Sequence, residues 1–346
     1  MPASEVPVTR MSVRSDASQA GTLAGPAFAL LPALAALAYP FWLQAAHAIP
    51  GHAALLLLGA FTMPAVAHAC WWRLARRPTC SGFERRARLL ALLACATPPL
   101  FVFIAFALRQ LGQPVPELLA WSIAWAIAAA WTVGGDPAAR VRTGPKVPAT
   151  ARVTHGLLAA LLLAFLAFHL ANHLAGLLGP ETHAALMREG RKVYRKPAVE
   201  AALVLLLVLQ IAVGASLAWR WSARPLDGYR SLQVATGVYL GFFVLVHMTS
   251  ALVSARLLNG IDTDWAWASN APVGLLKDAW SIRLLPHYAF GVFCALGHLA
   301  CGLRTVLLGH GVQPGVANRA WFAALALAAS VAALIVAALC GLRVAT

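Results

Sequence analysis

The stretch HGLLAALLLAFLAFHLANHLAGLL, residues 155–178, decides the fold. It is apolar along nearly all of its length and is long enough to cross a bilayer as one helix, which takes about 20 residues. The exception is FHLANH at 168–173, where two imidazoles and a carboxamide stand among Leu, Ala and Gly. Hydrocarbon disfavours such groups, and His169, Asn172 and His173 share one face of a helix. We therefore expect these side chains to point together into a helical bundle.

The apolar character extends over the whole chain. Of the 346 residues, 60% are apolar and only 11% are charged, whereas soluble proteins have about 25% charged residues. The sequence therefore predicts an all-α fold, a polytopic transmembrane bundle, and we expect it in the bacterial inner (plasma) membrane. Nine stretches are predicted to span the membrane: 26–45, 53–75, 88–109, 115–134, 155–178, 197–219, 231–257, 285–308 and 320–342.

The net charge of +15 is explained by contact with anionic lipid headgroups and by the preference of cytoplasmic loops for Lys and Arg. A nucleic-acid partner is not expected, because no soluble basic domain is visible. The loops 76–88 and 135–153 are rich in Arg and Lys, whereas 46–52 and 110–114 have none. This bias predicts a cytoplasmic N-terminus. The basic segment 180–196 would then be external, and we expect it to form an amphipathic helix on the outer surface.

The chain divides into three parts. Residues 1–25 are polar and predict a disordered cytoplasmic tail. Residues 26–140 form a four-span N-terminal membrane region with almost no internal polar groups. Residues 150–346 form a five-span membrane domain that holds most of the histidines. The chain has no nucleotide-binding glycine loop, and its six cysteines are scattered without a C-x-x-C pair. We therefore expect no catalytic domain and no iron–sulfur centre in this chain.

Two histidines within spans are predicted to lie at the same depth. His169 is about 14 residues into the fifth span and His247 about 16 residues into the seventh, and both spans run in the same direction. At a rise of about 1.5 Å per residue, the two levels differ by roughly one turn or less. Two neutral imidazoles at one depth can hold a haem iron from both sides, as in b-type cytochromes. Two separate interhelical hydrogen bonds are the alternative.

A second level is predicted deeper in the bundle, where Gln210 of the sixth span meets His298 of the eighth. Glutamine is a poor haem ligand, so this level either holds no haem or hydrogen-bonds to another group. His287, Gly291, Ala295 and His298 recur at a spacing of 3–4 residues and share one helix face. Small residues beside a histidine leave room for a planar group, although they also allow close packing of two helices.

The outer ends of these spans carry a further set of polar side chains. The set is His173, His183, His287 and Tyr194. They could form a site for a quinone headgroup, a cradle for haem propionates or a metal site. The alternative is that these are interfacial side chains in contact with water.

Four segments in the second half resemble the cytochrome b membrane anchors of succinate dehydrogenase and fumarate reductase. The segments are FHLANHLAG (168–176), YRKPAVEAALVLLLVLQIAVG (194–214), LQVATGVYLGFFVLVH (232–247) and GHLACGL (297–303). Their order, spacing and orientation match the first four of the five anchor helices over about 155–310. The resemblance implies that residues 150–346 form a cytochrome b-like membrane domain.

In two-haem members of that family, the first and third anchor helices bind the outer haem, and His169 and His247 stand at those positions. The second and fourth helices bind the inner haem. His298 matches the fourth-helix ligand, but Gln210 stands where the second-helix histidine belongs. The resemblance therefore implies one haem b, with His169 and His247 as ligands of the haem iron, and leaves a second haem open. The four N-terminal spans have no counterpart in these anchors.

These observations predict an electron carrier that binds haem b and transfers electrons to or from membrane quinone. Expected partners are membrane lipid, quinone, and separate flavoprotein and iron–sulfur subunits that carry the dehydrogenase chemistry. One alternative is a membrane transporter or metal-handling protein without haem, because polar residues at mid-depth line such pathways. Against it, Glu200 is the only carboxylate near the core of a span. A third alternative is a structural membrane component without a cofactor.

Overall fold

A computed structural model describes residues 26–77, 81–138 and 146–344. The predicted tail at 1–25 lies outside these residues, as does part of the loop between the two predicted membrane regions. Of the described residues 82% are helical, and no strand occurs among them. The helices are α1 (Pro26–Ala48), α2 (Ala53–Ala75), α3 (Gly82–Cys95), α4 (Thr97–Gln110), α5 (Glu117–Val133), α6 (Ala149–Ala175), α7 (Pro180–Tyr194), α8 (Pro197–Trp221), α9 (Gly228–Met248), α10 (Trp265–Ser269), α11 (Leu284–Gly309) and α12 (Pro314–Leu339).

Within the described residues, seven helices are long and apolar enough to cross a membrane, or up to eight if the bent pair α3 and α4 is one span. The prediction of nine spans is not confirmed. The span predicted at 88–109 falls on α3 and α4, which meet at an angle of 75° and form either one broken span or a re-entrant segment. Pro98 and Pro99 cause the break: proline lacks the backbone N–H and fits only the first turn of a helix. The fourth predicted span corresponds to α5, which has only 17 residues.

Five helices of the second half form a closed ring. Around this five-helix ring, α6 packs against α8, α8 against α9, α9 against α11, α11 against α12, and α12 against α6. The segment predicted to be an amphipathic helix is α7, and it covers one end of the ring together with α10. We call this end the α7 end. The ring encloses the space in which side chains of α6, α9 and α11 meet.

The first half of the chain packs against the outside of the ring. Helices α2, α3 and α4 contact α9, and α4 also contacts α11. The indole Nε1 of Trp71 on α2 donates a hydrogen bond to the Ser231 carbonyl on α9 at 3.0 Å. These contacts fix the position of α9, which continues past Met248 as a π-helix at Thr249–Leu258. Such wide turns are rare and often occur at functional sites.

A buried ion pair joins the start of α11 to α5. Both terminal nitrogens of Arg283 donate to the two carboxylate oxygens of Glu117, at 2.8 and 2.9 Å. The Arg283 side chain is 7% exposed and that of Glu117 is 31% exposed. The guanidinium also lies over the Phe101 ring of α4, 4.7 Å from the ring centre. One arginine therefore connects the two halves of the chain.

Removal of the Glu117 carboxylate should leave the charge of the buried Arg283 without a partner and with little access to solvent. We expect Glu117→Leu to lower the free energy of unfolding by about 2 kcal/mol, since a buried charge without its partner is costly. Addition of Arg283→Met should recover part of this loss, because two apolar side chains can replace a buried ion pair. The measurement is the thermal unfolding midpoint in detergent. A double variant that unfolds at the sum of the two single effects would show that the pair does not couple the two sites.

Candidate functional site

The five-helix ring and its cover enclose a cavity of about 390 Å³. Its volume falls within the range of about 300–1,000 Å³ that is common for small-molecule sites. Most of its wall is apolar, with polar side chains at a few places, as expected for such a site. The polar and charged side chains that line it include His169, Asn172, His173, His183, Arg191, Tyr194, Arg195, Glu200, Gln210, His247, Arg256, Asp264 and His298.

The structure thus brings seven of the eight predicted site residues to one cavity. His287 is not among the lining residues. It is only 2% exposed, and its ring lies against Phe243, with 4.7 Å between the ring centres. Its backbone carbonyl accepts a hydrogen bond from Tyr239. The structure therefore places His287 in the packing between α9 and α11, behind the cavity wall.

His169 and His247 face each other across the cavity. Their ring centres are 5.9 Å apart, and the ring planes differ by 71°. Each ring stacks on a phenylalanine one turn earlier in its own helix. Phe165 lies 5.7 Å from His169, with 23° between the planes, and Phe243 lies 5.6 Å from His247, with 9° between the planes. Because a stacked ring loses rotational freedom, both imidazoles are held in place before any ligand binds.

The two imidazoles are not satisfied by hydrogen bonds. Among the described residues, neither ring has a hydrogen-bond partner, so the interhelical hydrogen bonds considered above are not formed. A polar group in an apolar cavity without a partner costs roughly 1–3 kcal/mol. The His169–His247 pair is therefore a site where a ligand with affinity for imidazole nitrogen gains free energy.

At the end of the ring opposite α7, the structure brings in a residue that the sequence argument missed. His155 of α6 lies against His298 of α11, with 5.9 Å between ring centres and 84° between planes. The Nε2 atom of His155 is 3.3 Å from Nε2 of Gln210, so Gln210 hydrogen-bonds to His155. The spacing in the sequence could have indicated His155. It precedes His169 by 14 residues, or about four helical turns, so the two histidines lie on the same face of α6.

The α7 end of the cavity has a polar cluster around His183. Asn172 Nδ2 lies 3.2 Å from His183 Nε2, and the ring centres of His173 and His183 are 5.6 Å apart. Asn172 Oδ1, His173 Nδ1 and His183 Nδ1 are buried and have no hydrogen-bond partner. Burial, and then the charge of Arg191, lower the pKa of His183 to about 4, although Asp264 opposes this shift. At neutral pH the ring is therefore uncharged and can both donate and accept a proton.

Three ion pairs close the α7 end. Arg191 and Arg195 of α7 both bond to the carboxylate of Asp262, at 2.8 and 3.0 Å. Arg256, in the π-helical extension of α9, pairs with Glu200 of α8. Burial opposes ionisation of Asp262, but hydrogen bonds from the two arginines lower its pKa below the ordinary value. The Asp262 pair therefore tethers the surface helix α7 to the loop that follows α9.

Comparisons of the chain with protein-family models, with curated proteins and with solved structures found no match. The resemblance to the succinate dehydrogenase and fumarate reductase anchors therefore stays a prediction that depends on the four quoted segments. Within the described ranges, no group of three or more His, Cys, Asp and Glu side chains is arranged to hold a metal ion.

The Asp262 tether gives a test of how α7 is held. We expect Asp262→Asn to increase amide hydrogen exchange in α7 about two- to fivefold, because a largely exposed ion pair contributes about 1 kcal/mol or less. Glu189→Gln is the matched control, since Glu189 pairs with Lys192 within α7 alone. Because the folded pKa of Asp262 is depressed, its contribution is present at neutral pH and is lost as the pH falls through that pKa. Equal exchange in the two variants would contradict the tether.

Proposed function

We propose that this protein binds haem b in the membrane and exchanges electrons with membrane quinone, as a subunit of the succinate dehydrogenase or fumarate reductase anchor type. In this proposal His169 and His247 would bind the haem iron. The observation that carries it is the separation of 5.9 Å between two imidazoles that lack hydrogen-bond partners and face one cavity. The quoted segments that resemble the anchor helices support it independently.

The residues present fit this group. An imidazole nitrogen binds a transition metal at about 2 Å, so two imidazoles on opposite sides of one metal have ring centres roughly 6 Å apart. The measured 5.9 Å agrees with that value. The angle of 71° between the rings is no obstacle, because each ring can rotate about its own metal–nitrogen bond. The phenylalanines stacked on His169 and His247 would hold them in this arrangement.

The rest of the cavity suits the periphery of the same group. Its wall is mostly apolar and would pack against the macrocycle. Arg191, Arg195 and Arg256 line the cavity at the α7 end, and each guanidinium has five N–H donors. These side chains would hold the propionate carboxylates through charge-assisted hydrogen bonds. Haem would supply one-electron chemistry, and the chain would set its potential through ligand identity and burial.

The quinone site is proposed at the cluster of Asn172, His173 and His183. The unpartnered ring nitrogens His173 Nδ1 and His183 Nδ1 can donate hydrogen bonds to the carbonyl oxygens of a quinone headgroup, whereas Asn172 Oδ1 only accepts and can bond to a quinol hydroxyl. His173 lies 4.7 Å from His169, measured between ring centres, so the cluster stands directly beside a proposed iron ligand. The neutral His183 ring would donate a proton as the quinone gains negative charge. Tyr194 lines the same end of the cavity and belongs to the proposed site.

The predicted partners remain part of the proposal. The described residues form membrane helices with short connections, so the oxidation or reduction of a soluble substrate would take place on separate flavoprotein and iron–sulfur subunits. The N-terminus is proposed to be cytoplasmic because of the distribution of Arg and Lys in the loops. The bacterial inner membrane is the proposed location.

Substitution of either proposed ligand should remove the haem that they share. We expect His169→Ala and His247→Ala each to lower the haem content by one per chain, and the double variant to lose no more than either single variant. The measurement is the pyridine haemochrome assay together with the reduced-minus-oxidised spectrum. His68→Ala in α2 is the matched control, because His68 is a half-buried histidine that does not line the cavity. Gln210→Ala should keep most of the haem.

Equal haem loss in the His169, His247 and Gln210 variants would contradict the assignment of the ligands. A colourless wild-type protein would contradict haem binding as a whole. If such a protein bound Zn²⁺ or Cu²⁺ in a manner that depends on His173 and His183, the metal-handling alternative would replace the proposal.

The quinone site is tested by a variant that leaves the haem ligands intact. We expect His183→Leu to slow the reoxidation of the reduced protein by a short-chain quinone at least tenfold, because a positioned proton donor contributes about 10²–10⁴ in rate. The haem content should not change. His310→Leu is the control, since His310 is exposed at the other end of the bundle and bonds to the Val306 carbonyl of its own helix. Wild-type reoxidation rates in His183→Leu would rule out this site.

A further inference from the structure

We infer that Trp265 of α10 is a positioning residue for the proposed quinone site. It holds the His183 ring in a fixed orientation and is itself held by Gly176 and Arg343. The inference rests on the proposed function, because His183 is assigned there as the proton donor to the quinone. It goes beyond that function in naming the residues that keep the donor in place, none of which lines the cavity.

The indole of Trp265 packs directly against the imidazole of His183. The two ring centres are 4.8 Å apart, and the ring planes differ by 61°, which is a favourable arrangement of two aromatic rings. Trp265 is 6% exposed and His183 is 2% exposed. Since His183 lines the cavity and Trp265 does not, the indole lies behind the imidazole as seen from the cavity.

The orientation of His183 decides which of its nitrogens can act on a quinone. Asn172 Nδ2 lies 3.2 Å from His183 Nε2. An amide nitrogen only donates hydrogen bonds, so Nε2 accepts and Nδ1 carries the proton. Nδ1 is buried and has no hydrogen-bond partner. A turn of the ring would break the contact with Asn172 and move the Nδ1 proton, and the indole of Trp265 restricts that turn.

Gly176 at the end of α6 provides the space that the indole occupies. A Cβ atom built on Gly176 would lie 2.1 Å from Cη2 and 2.2 Å from Cζ3 of Trp265. The backbone of Gly176 is helical, with φ −61° and ψ −20°, so its conformation does not require glycine. The requirement is steric, because any side chain at this position would push the indole away.

The segment that follows α12 adds a second contact with the indole. The chain turns at Gly341, whose φ of +101° is in the left-handed region that favours glycine. The Val344 N–H then donates to the Leu177 carbonyl, just beyond α6, at 2.8 Å. This turn places the guanidinium of Arg343 over the Trp265 ring, 5.4 Å from its centre. A cation over an indole is a favourable contact, so Arg343 helps to hold Trp265.

A positioning role and a packing role for Trp265 predict different results. If Trp265 only fills space, its removal should affect the protein whether or not His183 is present. If it acts by orienting His183, its removal should have no further effect on quinone reduction once His183 has been replaced. A comparison of single and double variants separates the two.

The test measures kcat and KM for reoxidation of the reduced protein by a short-chain quinone, together with the haem content. We expect Trp265→Leu to lower kcat about tenfold and to change KM by less than about twofold, since a small misplacement of a reacting group costs up to about 10² in rate. Trp265→Phe should keep most of the rate. His183→Leu combined with Trp265→Leu should be no slower than His183→Leu alone. The haem content should not change.

The control is Trp219→Leu, which should reoxidise at the wild-type rate. Trp219 is exposed at the end of α8 away from α7 and also has a guanidinium over its ring, that of Arg85 at 4.8 Å. Replacement of the exposed Arg343 is a milder variant that does not depend on the tolerance of the core. We expect Arg343→Gln to lower kcat about two- to fivefold, the factor that an exposed cation–π contact supplies.

A compensating pair tests the contact with Gly176. Gly176→Ala should lower kcat as Trp265→Leu does, because the added methyl group displaces the indole. Addition of Trp265→Phe to Gly176→Ala should restore part of the rate, since the smaller ring leaves room for the methyl group. A double variant that is as slow as Gly176→Ala alone would show that the loss does not come from the indole.

The outcomes distinguish failure of this inference from failure of the proposed function. Wild-type kcat in Trp265→Leu, with slow reoxidation in His183→Leu, would overturn the role of Trp265 and leave the quinone site standing. Multiplied losses in the double variant of His183 and Trp265 would do the same. Wild-type kcat in His183→Leu would overturn the quinone site and this inference together.

Discussion

The structure depends on one constraint: polar side chains within a membrane must form their hydrogen bonds inside the protein, because lipid tails offer none. Lipid tails neither donate nor accept hydrogen bonds, so an imidazole in a membrane helix has to find its partner inside the protein. The five-helix ring provides an interior for this purpose. The imidazoles of His155, His169, His247 and His298 all lie on its inner side, but the protein itself satisfies them only in part. That deficit, more than the presence of histidines, indicates a ligand.

The His169–His247 pair and the His155–His298 pair differ in how the protein orients their rings. His169 and His247 are positioned by stacking on Phe165 and Phe243 and have no hydrogen-bond partner among the described residues. His298 is instead oriented by the Gln233 carbonyl, a hydrogen bond that increases the basicity of the opposite nitrogen.

The sequence was sufficient for the helical membrane class and for the meeting of His169 and His247. Both follow from local quantities, namely apolar length and rise per residue. The sequence was insufficient for features that depend on the bending of a helix or on which helices are neighbours. Depth alone paired Gln210 with His298, yet the packing of α6 beside α8 brings His155 to Gln210. Pro98 and Pro99 were visible in the sequence, but the span at 88–109 was predicted from hydropathy, which does not register the bend between α3 and α4. The sequence also did not show that His287 lies behind the cavity wall, because this depends on the direction in which its side chain leaves α11, toward Phe243.

The first four predicted spans have no counterpart in the resemblance, and the packing suggests what they contribute. Helix α9 carries His247, and it contacts α2, α3 and α4 on the side away from the cavity. At Gly237, where α9 meets the His298 ring of α11, the helix has no side chain with which to fix its own position. The hydrogen bond from Trp71 to Ser231 and the ion pair between Arg283 and Glu117 supply that fixation from outside the ring. Since a displacement of about 1 Å is enough to spoil a pre-organised site, the N-terminal helices would support the positions of α9 and α11 and so keep His247 opposite His169.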